Sequence, residues 1–283
     1  MIRIGVRIFF ILLVGNYLAS AQENYPERII SLGPSVTEML YLLGVEDRIV
    51  GVTTYCERPA SAKKKEKVGT TMEINLEKIV SLNPDLVIST SLTNPQAEEK
   101  LKKLGIRVIK MRSPKHYYQL FDQFLELGRI LGKEERAKVI IEECKRKIKD
   151  IKEKTKLFHP PRVVIQVGAR PLWLAPKNSF INDFIELAGG KNVGPDGRIG
   201  ICSREEVFHQ DPEVIIITTM GIKGEEEKKL WEKYKTISAV KTHRIYIFDS
   251  YKLCSPTPVS LVETLKELVK IFYPDLKDES KNW

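Results

Sequence analysis

The chain has 283 residues, 42% hydrophobic and 29% charged, with a formal net charge of +9. That apolar content supports one large or two modest packed domains and excludes a dominantly disordered chain. Charges of both signs are interspersed, and the tight basic cluster Lys63-Lys64-Lys65 has no interleaved aromatics, so the excess of positive charge does not describe a nucleic-acid surface.

In chain order, the first segment has the pattern of an export signal. Arg3 and Arg7 precede an apolar run over residues 8–18, well short of the ~20 residues that span a bilayer. Ala19-Ser20-Ala21 then offers a small-residue cleavage site before Gln22. A short buried helix is the structural alternative. Residues 1–21 are expected to be a signal peptide cleaved near Ala21, leaving a periplasmic chain. No cysteine follows the apolar run, so no lipid anchor is indicated there.

A strand-then-helix rhythm follows. Strands are expected at 28–32, 49–53, 85–90 and 107–111, and helices from just after Ser35 to about 43 and at 76–82, 96–104 and 117–131. Ser35 and Glu38 have the spacing of a capping box at the start of the first helix. This alternation predicts a mostly parallel sheet covered on both faces. Residues 133–156 break the rhythm as one long charged helix with Ala137, Ile140, Ile141, Cys144, Ile148 and Ile151 on a single stripe. It reads either as an ordinary surface helix or as a strut joining two lobes, and Pro160-Pro161 end it. The rhythm then restarts with strands at 162–167, 214–219 and 244–249 and helices at 178–188 and 259–272. Residues 76–90 (LEKIVSLNPDLVIST) and 204–218 (REEVFHQDPEVIIIT) align without a gap, placing Glu77 opposite Glu205. The organisation expected is a signal peptide (1–21), an N-terminal α/β lobe (22–132), a linking helix (133–158) and a C-terminal α/β lobe (159–283).

These residues resemble a known family. RIISLGPSVTEMLYLLGVEDRIVGVTTYC, KVGTTMEINLEKIVSLNPDLVIS and LGIRVIKM are similar to the N-terminal lobe of periplasmic binding proteins for vitamin B12 and ferric siderophores, within the helical-backbone metal receptors. RVVIQVGARPLW, FIELAGGKNV, SREEVFHQDPEVIIIT and FDSYKLCSPTPVSLVETLKEL continue the likeness through the second half. The resemblance implies a class III periplasmic binding protein: two Rossmann-like lobes joined by a single long backbone helix, with the ligand between them. It implies a non-catalytic receptor of an ABC importer that passes a metal chelate to a permease–ATPase complex in the inner membrane. The chelate would be cobalamin or another corrinoid, or else a ferric siderophore or haem. It further implies no cofactor of the protein's own, no nucleic-acid partner and a monomer.

By the same resemblance, Glu77 and Glu205 match the two acids that dock on permease arginines. Read on their own, they are first-turn carboxylates complementing helix dipoles after the N-caps Asn75 and Ser203. Tyr55 and Trp173 match aromatic positions of the B12-binding cleft. Thr71 and Ile199 stand where that branch has tryptophans, Asp249 matches an acidic cleft residue, and Leu253 replaces a ligand-contacting arginine. Tyr251 is a further cleft candidate, and Arg58, Arg170, Lys177, Arg198 and Lys252 are cations near the cleft, the first two being candidate ligand contacts. Each has packing or solvation as its structural alternative.

The four histidines, His116, His159, His209 and His243, form no close pair, which argues against a bare-ion site. Cys202 and Cys254, both near cleft loops of the second lobe, are candidates for a disulfide. Cys144, on the helical stripe, is expected to be a buried thiol, and a thiolate site from Cys56, Cys202 and Cys254 is the alternative. An enzyme related to the two-lobed chelatases is the rival class. No GxGxxG, P-loop, GxSxG or HExxH motif is present to support it.

Overall fold

A computed structural model of the protein describes residues 25–197, 199–219, 221 and 223–276, so the expected signal peptide and Arg198 lie outside the described residues. The first lobe runs β1 (Ile29–Ser31), α1 (Pro34–Leu42), β2 (Ile49–Val52), α2 (Leu76–Ser81), β3 (Leu86–Thr90), α3 (Pro95–Lys103), β4 (Arg107–Met111) and α4 (Tyr117–Ile130). Its four strands form an all-parallel sheet in the order β2-β1-β3-β4. Helix α5 (Glu134–Thr155) follows, 22 residues long and so about 33 Å at 1.5 Å per residue.

The second lobe comprises β5 (Arg162–Ala169), β6 (Leu172–Leu174), α6 (Phe180–Leu187), β7 (Lys191–Asn192), α7 (Arg204–Gln210), β8 (Val214–Thr218), α8 (Gly224–Trp231), α9 (Ser238–Lys241), β9 (Ile245–Phe248), α10 (Ser250–Cys254) and α11 (Pro258–Phe272). Its sheet has the order β6-β5-β8-β9, with β7 also paired to β5; β6 is antiparallel and the other pairings are parallel. The expected α/β fold of two lobes around one long helix is the fold observed.

Period-2 alternation assigns each strand's side chains to two faces. Ile29, Leu86 and Ile88 of the first sheet, and Val163, Ile165, Val214 and Ile216 of the second, belong to one continuous core. Ile30 and Val87, and Val164, Ile215 and Ile217, face the opposite way into two separate outer clusters. The continuous core runs through the stripe Ala137, Ile141, Cys144, Ile148 and Ile151 of α5, which packs against α4 and α11. Phe121, Phe124 and Leu127 meet it from α4, and Leu261, Leu265 and Leu268 from α11. The strut reading of the long helix is therefore correct, but α5 is one member of a three-helix seam. A polar pin reinforces it: Asp183 of α6 accepts a 2.6 Å hydrogen bond from the Tyr117 amide in the first turn of α4 and lies 3.3 Å from His116 Nδ1. Burial pushes the Asp183 carboxyl above its ordinary pKa despite those two contacts.

One local expectation fails. Ser35 and Glu38 form no capping box: α1 starts at Pro34, with Gly33 as an extended N-cap that makes no side-chain cap bond. Proline is preorganised for the first helical position and moves the cap from Ser35 to Gly33, two residues earlier. A Cβ at residue 33 would run into the Thr90 side chain, so a larger residue here would force that side chain to shift. Elements β6, β7, α8, α9 and α10 were not expected. The strands among them, three and two residues long, are too short to carry a period.

If the seam joins the lobes into one cooperative unit, Ile148→Ala should lower global stability by about 2–5 kcal/mol. Urea unfolding followed by circular dichroism and by tryptophan fluorescence should then shift by the same amount on both probes.

Candidate functional site between the lobes

In open α/β sheets, loops at the carboxyl ends of the strands form the ligand crevice. Here those ends converge from two sheets. Gly33-Pro34 after β1, Thr90 to Leu92 after β3 and Met111 to Pro114 after β4 meet Phe180 and Ile181 of α6 and Leu253 to Pro256 around the end of α10. They enclose a cavity of about 330 Å³ between the lobes. Its walls are largely apolar: Val36, Met39, Leu92, Leu120 and Leu253 contribute, with Thr71, Ser91, Ser113 and Gln123 as polar groups. A second hollow of about 440 Å³ adjoins it across Pro34 and is lined by Tyr55, Glu57, Arg58, Lys63, Asp249 and Tyr251.

The outer hollow is crossed by an interlobe contact. Arg58 Nη2, from the loop after β2, donates to Asp249 Oδ2 at 3.2 Å, and its guanidinium lies 3.6 Å from the centroid of the Tyr251 ring. Asp249 also caps α10, accepting from the Tyr251 amide at 2.9 Å. One carboxylate thus orders its own helix and holds the opposite lobe. With both partners substantially exposed, the ion pair fixes geometry more than it adds stability.

Behind this contact lies a buried polar set. The Tyr251 hydroxyl and Glu38 Oε2 are buried without a hydrogen-bond partner among the described residues. Burial, then the nearby Glu38 carboxyl, hold Tyr251 far above the usual phenol range, and Arg58 opposes them. Glu38 is itself raised, first by burial and further by Glu263, with Arg58 opposing.

The structure brings Tyr55, Arg58, Asp249 and Tyr251 together at the outer hollow and places Thr71, 7% exposed, in the wall of the inner cavity. It does not bring Trp173, Ile199 or Arg170 into either space. Trp173 is 37% exposed on β6, bridged to Ile201, and Ile199 is 67% exposed. Arg170 is exposed just past the end of β5. Two other cations proposed for the cleft are already paired, Lys177 with Asp196 at 2.8 Å and Lys252 with Glu267 at 2.6 Å. Arg112, Gln123 and Met111 line the inner cavity but were not among the expected residues. The first and third could have been found from their place at the carboxyl end of a parallel strand.

The expected Cys202–Cys254 disulfide is not formed: all four cysteines are free. Cys202 lines a separate hollow of the second lobe with Leu174 and Glu206, whereas Cys254 lines the interlobe cavity. Among the described residues no thiolate site joins them with buried Cys56. Cys144 is a buried thiol as expected, and desolvation pushes its pKa up to about 11. Among the described residues, no group of three or more His, Cys, Asp and Glu side chains is placed to hold a metal ion.

Glu77 and Glu205 are both exposed and both occupy the second position of their helices. Asn75 caps α2 by accepting from the Lys78 amide, and Ser203 caps α7 within a capping box completed by Glu206. The two carboxylates thus present in equivalent local settings on the two lobes.

Glu38 offers a pH test. With its carboxyl raised in the folded chain, the folded state binds that proton more tightly than the unfolded chain does, so ionised Glu38 destabilises the fold at pH above the folded pKa. Glu38→Gln should therefore melt higher than wild type at pH 7. The advantage should shrink as pH falls through the folded and then the unfolded pKa, as read by thermal melts from pH 7 to pH 4.

Comparison with known proteins agrees with this architecture. The family profile described as periplasmic binding protein matches residues 29–252. An uncharacterized ABC transporter substrate-binding lipoprotein of Bacillus subtilis is 33% identical over 260 residues, covering 89% of this chain and 82% of that protein. A vitamin B12-binding protein of Yersinia pseudotuberculosis is 30% identical over 228 residues, covering 80% of each. Among solved structures, a possible iron-binding (periplasmic solute-binding) protein of Staphylococcus epidermidis superposes with a TM-score of 0.79 at 29% identity, covering 88% of this chain and all of that one. With two lobes, a spine helix and a ligand-sized cleft in place, the chain belongs to the periplasmic binding protein family, as a substrate-binding protein of the ABC-importer type.

Proposed function

We propose that this substrate-binding protein captures a metal chelate outside the cytoplasm, a corrinoid in the first instance, and hands it to the permease of an ABC importer. The observation that carries the reading is the pair of adjoining interlobe spaces, apolar within and aromatic at the mouth. Ligand pockets of about 300–1,000 Å³ with a few placed polar groups suit small organic ligands, and the two spaces measure about 330 and 440 Å³. Tyr55 and Tyr251 supply flat amphipathic surface against a macrocycle. The metal belongs to the cargo, and no metal-ligating set on the protein is needed to hold it. The similarity to a vitamin B12-binding protein favours the corrinoid. The likeness to a possible iron-binding receptor favours a ferric siderophore or haem as the second reading.

Glu77 and Glu205 complete the proposal as the permease contacts. Two exposed carboxylates in equivalent settings suit a two-fold partner offering one cation per half, and such rim charges set orientation and association rate more than affinity.

Isothermal titration of the mature chain with cyanocobalamin, then with ferric siderophores and haemin, tests the ligand class. Tight one-to-one binding of cobalamin supports the corrinoid reading. Heat only with a ferric chelate moves the assignment to the second reading, and no binding across the panel contradicts both.

A further inference from the structure

We infer that Arg112 is an anion-accepting subsite of the inner cavity, and hence that the natural ligand joins an apolar body to an anionic arm, a carboxylate or a phosphate. This rests on the reading of the interlobe cavity as the ligand site.

The wall of that cavity contains one charged residue among those described, Arg112, and no acid. Its guanidinium has no ion pair or hydrogen bond among the described residues, in contrast to Arg58, which Asp249 already neutralises. The segment bearing it is held from both sides. Gln123 Nε2 donates to the Arg112 carbonyl at 3.0 Å, and Ser91 Oγ accepts from the Ser113 amide at 2.9 Å. Gln123 comes from α4, a member of the rigid seam, so the charge stands on a fixed support.

While water fills the cleft, an exposed guanidinium is solvated and costs nothing. A ligand filling an apolar cavity removes that water, and an unpaired charge then carries a desolvation penalty. The penalty is relieved only if the ligand brings an acceptor, best a planar carboxylate or a phosphate that takes two parallel N–H bonds from the guanidinium. Val36, Leu120 and Leu253 supply apolar contact in the same cavity, so a single charge in a largely apolar wall can orient the ligand.

The test compares wild type with Arg112→Gln and Arg112→Lys, first confirming equal melting temperatures. The probes are cyanocobalamin, with its phosphodiester arm; dicyanocobinamide, a corrin ring without it; haemin, with carboxylates; and a ferric siderophore. For the anionic chelate that wild type binds, Arg112→Gln should weaken affinity about 10- to 100-fold, the range of a charge-assisted hydrogen bond. It should also flatten the salt dependence, while Arg112→Lys recovers part of the loss. A phosphate arm is indicated if cobalamin but not cobinamide responds, and a carboxylate arm if haemin does. An effect within about twofold on every bound chelate overturns the inference, since a desolvated charge pair is worth more than that. If wild type binds none of the four, the functional reading fails, and 8-anilinonaphthalene-1-sulfonate, an apolar body with one anionic group, decides the subsite. Weaker binding by Arg112→Gln upholds it, and equal binding overturns it.

Discussion

The apolar stripe of α5 lies against α4 on one side and α11 on the other, and the placement of both sheets follows from that seam. Because Ala137, Ile141, Cys144, Ile148 and Ile151 belong to the same core as Ile88 of the first sheet and Ile216 of the second, neither lobe can move as a body without opening close-packed apolar surface. Two lobes joined only by flexible strands would be free to swing. Here the Asp183 carboxylate of α6, bonded to the Tyr117 amide in the first turn of α4, adds a directional restraint to a contact that packing alone already holds.

A fixed frame makes the cleft a preformed space, and its chemistry then depends on what the loops at the strand ends carry. The outer hollow is electrostatically settled before any ligand arrives, with Arg58 held by Asp249 and stacked on Tyr251. The inner cavity is largely apolar with a few neutral polar groups, and Arg112 is the one charged residue in its wall among those described. A ligand therefore meets a paired charge at the mouth and an unpaired one within. Preorganisation of this kind lowers the ordering cost of binding and puts discrimination into a few groups.

Much of the frame was legible in the residues because it is written in periodicity. The stripe on 133–156 and the alternation on the parallel strands are repeated signals, and elements such as β4 and α4 fall within a residue of their expected limits. The N-caps Asn75 and Ser203 were legible because a short polar residue before a helix has one dominant use. The site was legible only in part. Tyr55, Arg58, Asp249 and Tyr251 converge as expected, but Trp173 and Ile199 lie off both spaces: β6 turns back antiparallel on β5 and carries Trp173 along the sheet edge, and Ile199 is exposed in the loop before α7. Ser35 misled because a proline one residue earlier outcompetes a serine cap. Cys202 and Cys254 misled because lobe membership says nothing about which loop meets which. Arg112 was legible only as a residue just past a parallel strand; what singles it out, the lack of another charged residue among the described ones in the cavity wall, is a property of the assembled cavity.

The most direct measurement of the rigid frame is native-state hydrogen exchange resolved to single amides. If the seam unites the lobes, the amides of Ile141, Cys144 and Ile148 should exchange only through global unfolding, with the same opening free energy as those of Ile88 in β3 and Ile216 in β8. Exchange of α5 through a cheaper opening that leaves one sheet protected would show that the lobes are separable, and the account of a preformed cleft would fall.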